Sequence, residues 1–119
     1  MARPRTFDEE DVIHLAAEVF GRLGFNGGSI DDLLVATGLQ RGSLYKAFGS
    51  KRNLFAKVLE RALAPGWHKR RQSLDLLIIA LKEMAPADQP ITALCRAALA
   101  QSGIDNAHML GTRLLEHLD

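Results

Sequence analysis

The chain has 119 residues, with 15 Lys and Arg against 14 Asp and Glu, 47% hydrophobic and 24% charged residues. These are globular proportions, and they exclude a disordered charged tail, a collagen-like chain and a disulfide-stapled miniprotein. The near-neutral total conceals a segregation: seven acids stand against the single base Arg22 over 8–32, and six bases against the single acid Glu60 over 40–61.

The first half reads as four short helices. Thr6 with Glu9 three residues on forms a capping box, and Asp8, Glu9 and Glu10 suit the positive end of a helix dipole. Val12, Ala16, Val19, Phe20 and Leu23 recur at helical spacing, which predicts a helix over 7–23. Gly24 is placed to end it, with Phe25 folding back on Phe20 in a Schellman closure. Ser29 with Asp32 repeats the capping pattern. Ile30, Leu33, Leu34 and Ala36 give a two-turn helix an inward face, and Gly38 stops it. A third helix is predicted over 41–48, with Leu44, Ala47 and Phe48 inward and Gly49 as its cap. Ser50 opens a fourth, with Leu54, Phe55, Val58, Leu59, Ala62 and Leu63 buried, and Pro65-Gly66 breaks it. Two short helices joined by a tight glycine-containing turn are the helix-turn-helix arrangement. Helices this short persist only when packed, here between the first and fourth. A small helical bundle with no nucleic-acid role fits the same spacing.

The helix starts carry the chemistry. Gly42 lowers helix propensity by ~1 kcal/mol relative to Ala, but lets another surface approach the backbone. Lys51 and Arg52 oppose the dipole of the fourth helix. That placement makes sense if an external anion such as a nucleic-acid phosphate sits there. Exposed cations simply tolerated at a helix start are the plainer alternative. Tyr45, at the edge of the buried face, has its ring available for packing and its hydroxyl for a phosphate, the alternative being a core tyrosine with a satisfied hydroxyl.

The segment Gly38-Leu39-Gln40-Arg41-Gly42-Ser43-Leu44-Tyr45-Lys46-Ala47-Phe48-Gly49-Ser50-Lys51 resembles the recognition segment of TetR-type transcriptional repressors. Phe20-Gly21-Arg22-Leu23-Gly24-Phe25 and Ser29-Ile30-Asp31-Asp32-Leu33 fit the same family in order and spacing. The resemblance covers about 6–63. It implies an all-α fold: an N-terminal helix-turn-helix bundle over 1–64, then a short C-terminal helical dimerisation region over 65–119. It implies that the third helix enters the major groove of double-stranded operator DNA. Ser29 would cap the second helix and touch a phosphate. Gln40, Arg41, Ser43 and Lys46 would face the groove, Arg41 toward guanine and Gln40 toward adenine, with Gly42 admitting the close approach. Tyr45 and Lys51 would grip the backbone, and Arg3 and Arg5 would form an arm along a groove. Gln40 stands where a small capping residue is usual, and Asn53 where an acid often follows the Lys.

Beyond Pro65-Gly66, three apolar segments are predicted. One covers 67–84, with Leu74, Leu77, Ile78 and Leu81 as its stripe. The next covers 91–101, with Ile91, Leu94, Cys95, Ala98 and Leu99, and the last covers 106–118, with Met109, Leu110, Leu114 and Leu115. Pro86 and Pro90 bracket a break around Asp88. Leu81-Lys82-Glu83-Met84-Ala85-Pro86-Ala87-Asp88 resembles the junction between two late helices of the family's regulatory domain. That implies an internally shortened region, with a small or absent effector pocket and the subunit-pairing helices retained. The late stripes are more apolar surface than so short a region can bury alone, so a homodimer is expected.

No catalytic motif is visible. His14, His68, His108 and His117 lack metal-ligand spacing, and no cofactor or metal is expected. Cys95, the single cysteine, reads as a buried small hydrophobe, and Trp67 as a packing residue. The longest apolar run, 76–81, is too short for a membrane span. The single cysteine leads to the expectation of a reduced, cytoplasmic compartment, and no signal peptide is visible. The function expected is a DNA-binding regulator, a repressor on a palindromic operator. The alternative is a helical protein-interaction module that keeps the fold without binding DNA.

Overall fold

The structure, a computed structural model, describes residues 7–103 and 105–118. Among these residues all regular structure is helical. Helix α1 is Glu9–Leu23, α2 Ile30–Thr37, α3 Arg41–Phe48 and α4 Lys51–Ala62. A short 3₁₀ turn at Trp67–Lys69 leads into α5, Arg71–Glu83, followed by α6, Gln89–Ser102, and α7, Asn106–Glu116.

The entry to α1 differs from the sequence expectation. Thr6 lies outside the described residues, and Asp8 is the cap, its carboxylate accepting from the Glu10 amide at 2.8 Å. An aspartate immediately before three first-turn acids both satisfies a free N–H and suits the dipole. At the other end, the Gly24 amide donates to the Phe20 carbonyl at 2.8 Å, and Phe25 stacks on Phe20 with centroids 6.0 Å apart. Gly24 adopts φ 82° and ψ 175°, not the left-handed helical conformation, so the closure is not a Schellman motif. Leu23, expected inward, is 40% exposed.

Helix α2 opens on a complete capping box between Ser29 and Asp32 and ends at Gly38 in the left-handed region, φ 73°. Ala36, expected inward, is exposed, because only Leu33 of this short helix is fully covered. Helix α4 is capped by Ser50, whose hydroxyl accepts from the Asn53 amide.

An aromatic cluster joins α1 and the turn after it to α4. The Phe55 ring meets Phe20 edge-on at 5.1 Å and Phe25 at 5.3 Å. Burying side chains such as Phe20, Leu33, Leu44, Leu54 and Phe55 contributes ~1.5–3 kcal/mol each, which holds two-turn helices that would melt in isolation. The core continues without a break into the second half through Leu74, Leu76, Leu77, Ala80, Ile91, Cys95 and Ala98. Helix α5 contacts α1, α4, α6 and α7. That surround explains why Leu76 is fully buried while Ile78 and Leu81, expected in the stripe, are half-buried. Trp67 is packed at 3% exposure.

Helix α7 is different in kind. It has no buried residue: Met109 and Leu110 are half-buried, and Leu114 and Leu115 are exposed. A polar clamp ties it to α5, in which Arg113 donates to both oxygens of Asp75 at 2.7 and 2.8 Å. The molecule is elongated, 54 × 29 × 26 Å, with a radius of gyration of 15.0 Å. No helix among the described residues is long and apolar enough to cross a membrane.

Candidate nucleic-acid interface

Helix α3 presents its outer face by simple geometry. Leu44 and Phe48 are buried, so at about 100° per residue Gly42 and Lys46 point away from the core. Arg41 and Tyr45 share one flank and Ser43 takes the other. Gln40, Arg41, Gly42, Ser43, Tyr45 and Lys46 are all exposed, Tyr45 at 40%. A Cβ added at Gly42 would meet nothing within 4 Å, so its backbone is open to an approaching surface. Gln40 sits at the N-cap with extended backbone and no side-chain capping bond. Its amide side chain is therefore not committed to the helix start, as a Ser or Thr would be.

Helices α2 and α4 flank α3 with capped N-termini. At α2, Ser29 Oγ accepts from the Asp32 amide at 3.0 Å and Asp32 accepts from the Ser29 amide at 3.0 Å. These backbone and hydroxyl bonds from Ser29 hold the Asp32 carboxyl below its ordinary range. At α4, the Lys51 ammonium lies 4.6 Å from the centroid of Phe25, a cation–π contact that restricts where the charge can sit.

The six sequence-predicted residues of α3 and its cap, together with Ser29 and Lys51, therefore fall on three neighbouring elements. Arg3 and Arg5 lie outside the described residues. Two of the expected free cations are engaged. Arg41 donates to Asp31 of α2 at 2.7 Å, both groups well exposed. Arg52, expected at an anion site with Lys51, instead donates from Nε and Nη2 to the two oxygens of Asp88, both at 2.7 Å. Its position in the first turn of α4 turns it toward the start of α6, where the matching carboxylate stands. Hydrogen bonding to Arg52 holds Asp88 below the usual carboxylate range and raises Arg52. Further along α4, Arg61 chelates Glu10 of α1 and also bonds Glu60.

Several contributors escaped the sequence reading. Thr37 braces the turn, donating to the Leu33 carbonyl at 2.7 Å and accepting from the Leu39 amide at 3.3 Å. A Thr directly before the turn glycine was the available signal. Asp31, as the partner of Arg41, and Phe25, as the seat of Lys51, depend on how helices cross and left no local trace.

Known proteins match the first half of the chain in sequence. Residues 12–58 match the family model of the bacterial regulatory proteins of the tetR family. The chain carries a TetR-type helix-turn-helix domain. It is 44% identical over 78 residues to the uncharacterized HTH-type transcriptional regulator YezE of Bacillus subtilis, a match covering 56% of this chain and 40% of that protein. It is 37% identical over 59 residues to the HTH-type transcriptional repressor ComR of Escherichia coli, covering 50% and 28%. It is 42% identical over 57 residues to the HTH-type transcriptional repressor BdcR of Escherichia coli, covering 48% and 29%. The matched part spans less than half the length of each of these relatives. No solved structure matches the chain. The matched residues fall within α1 to α4, with α3 the second of the two short helices.

Proposed function

We propose that the chain is a DNA-binding transcriptional regulator that reads an operator with α3. The observation that carries this reading is the exposed face of α3, where Gln40, Arg41, Gly42, Ser43 and Lys46 stand open between the capped starts of α2 and α4. Gln40 and Arg41 have the donor geometry for adenine and guanine edges. Ser29, Tyr45 and Lys51 are placed for phosphate, and Arg3 and Arg5 precede α1 as a groove-following arm. On this reading residues 1–64 bind DNA and residues 65–119 supply the pairing surface.

Repression is the mode of action, in line with the printed names of ComR and BdcR. The operator is two-fold symmetric and the protein a homodimer. Exposed Leu114, Leu115 and Leu118, at 46%, 64% and 80%, support a second copy of this chain against α7. Ligand control is weak or absent. The apolar cleft beside α6, about 400 Å³ and lined by Leu81, Cys95, Arg96 and Leu99, is open to solvent rather than enclosed. Burial pushes the Cys95 thiol up to about 11, which suits packing and not nucleophilic chemistry.

The second reading, an interaction module without DNA binding, draws on the engagement of Arg41, Arg52 and Arg61 in internal ion pairs. Selection of bound duplexes from a random pool separates the two. Recovery of a palindromic consensus, with affinity falling steeply as salt rises, is the expected result. Recovery of no sequence above background overturns the regulator reading.

A further inference from the structure

The corner between α5 and α6 touches the DNA-reading half at two points. Glu83, the last residue of α5, accepts from the Asn26 amide in the turn between α1 and α2 at 2.7 Å. The same carboxylate lies so close to Gly24 that a Cβ there would stand 2.7 Å from its Oε2. Five residues on, Asp88 both caps α6, accepting from the Ile91 amide at 3.1 Å, and receives the bidentate Arg52 at the start of α4. Between these two holds sit Phe25 and Lys51. Phe25 is next to Asn26, Lys51 is next to Arg52, and the Lys51 ammonium rests over the Phe25 ring.

We propose that this corner is a positioning device for DNA binding: Glu83 and Asp88 fix the ring and the helix start that together aim Lys51 at a backbone phosphate. The proposal rests on the DNA-reading assignment above. Neither acid touches the reading face. Each acts through a neighbour of the group it aims, Glu83 through Asn26 and Asp88 through Arg52. The pair of Arg52 and Asp88 is partly exposed, 36% and 19% for the two side chains. Pairs of that exposure add little to stability, whereas a two-bond guanidinium–carboxylate contact fixes orientation. The corner therefore governs where Lys51 points more than whether the chain folds.

The test uses the full chain and a duplex recovered by the random-pool selection. Glu83→Ala, Asp88→Asn and Lys51→Ala are compared with the parent over a salt series. Asn retains the cap on α6 while losing the charge that holds Arg52. Each corner variant is expected to weaken binding roughly 5- to 30-fold, and to reduce the salt slope by about one phosphate contact, as Lys51→Ala does. Combined with Lys51→Ala, neither should add a further loss. Glu83→Gln, which keeps an acceptor for Asn26, should restore parental affinity. In NMR spectra without DNA, the Lys51 side-chain protons should lose their upfield ring-current shift in Glu83→Ala and in Asp88→Asn. Unchanged affinity and slope in a folded Asp88→Asn overturn the proposal, as do losses that add fully to that of Lys51→Ala. A parent chain that binds no duplex removes the DNA-reading assignment and the proposal with it. That outcome is distinguished from failure of the positioning alone by parental binding that Lys51→Ala weakens and the corner variants do not.

Discussion

At the level of single residues, the proposed function divides the exposed face of α3 and its neighbours into groups that would choose a sequence and groups that would hold any duplex. Arg41 has the donor fork for a guanine edge, and its partner Asp31 is exposed, so releasing it costs at most ~1 kcal/mol. Arg41→Ala is expected to relax preference at one base position while costing ~1–3 kcal/mol on the selected site. Lys51→Ala should weaken binding to all sequences alike and lower the salt slope by about one. Competition assays with single-base variants of the site distinguish the two outcomes. Asp31→Asn should raise affinity for unrelated duplexes, because it removes both a competitor for Arg41 and a like charge beside the phosphates. Ser29 acts on folding as well as on DNA. Ser29→Ala removes the hydroxyl half of the capping box, leaving only the backbone amide at position 29 on Asp32, and should cost ~1 kcal/mol, read as a lower melting temperature without DNA.

At the level of elements, the connections decide how rigidly the short helices are held. Gly24 combines a positive φ of 82° with the Glu83 carboxylate pressed against the place a Cβ would take. Gly24→Ala should therefore destabilise the chain by ~1–3 kcal/mol, seen as a lower denaturant midpoint. A second Ala substitution at Gly42, where space is open and φ is not positive, should be neutral or slightly stabilising. The contrast also explains what the sequence disclosed. Helices α1 to α4 were legible because caps and glycines punctuate them: Ser29 with Asp32, Gly38, Gly49 and Ser50 are signals carried within a few residues. The exposed face of α3 was legible for the same reason, since its residues lie within one fourteen-residue motif. The partners of the cations were not. Arg41 with Asp31, Arg52 with Asp88 and Arg61 with Glu10 are separated by 10, 36 and 51 positions, and no local periodicity encodes which acid a helix crossing brings alongside. The start of α1 was misplaced because Thr6 and Asp8 are both good caps, and the acid nearer the acidic turn takes the role.

Across the whole molecule, carboxylates fasten the late helices, one to the first half and one within the second. Asp88 ties α6 to α4, and Asp75 ties α7 to α5. Burial works to raise the Asp75 carboxyl, but hydrogen bonds from Arg113 and His117 outweigh it and leave it below its ordinary value. Hydrogen bonding from Arg52 does the same for Asp88. A carboxyl held low in the folded state binds fewer protons there than in the unfolded chain. Its contribution is therefore full above the unfolded value of about 4 and is lost as pH falls through the folded one. Stability should accordingly fall below about pH 4. Asp75→Asn should lower stability at pH 7 and flatten that acid limb, because the variant has nothing left to protonate there, and Asp88→Asn, in the more exposed pair, should do so only slightly. The loss should be uneven in space. Helix α7 has no buried residue to retain it once its clamp is released, whereas α6 keeps Ile91, Cys95 and Ala98 in the core. Amide exchange in Asp75→Asn should therefore speed up along Asn106–Glu116 with little change in α1 to α4. Acceleration spread evenly over all helices would mean that α7 is integral to the core rather than fastened to its edge.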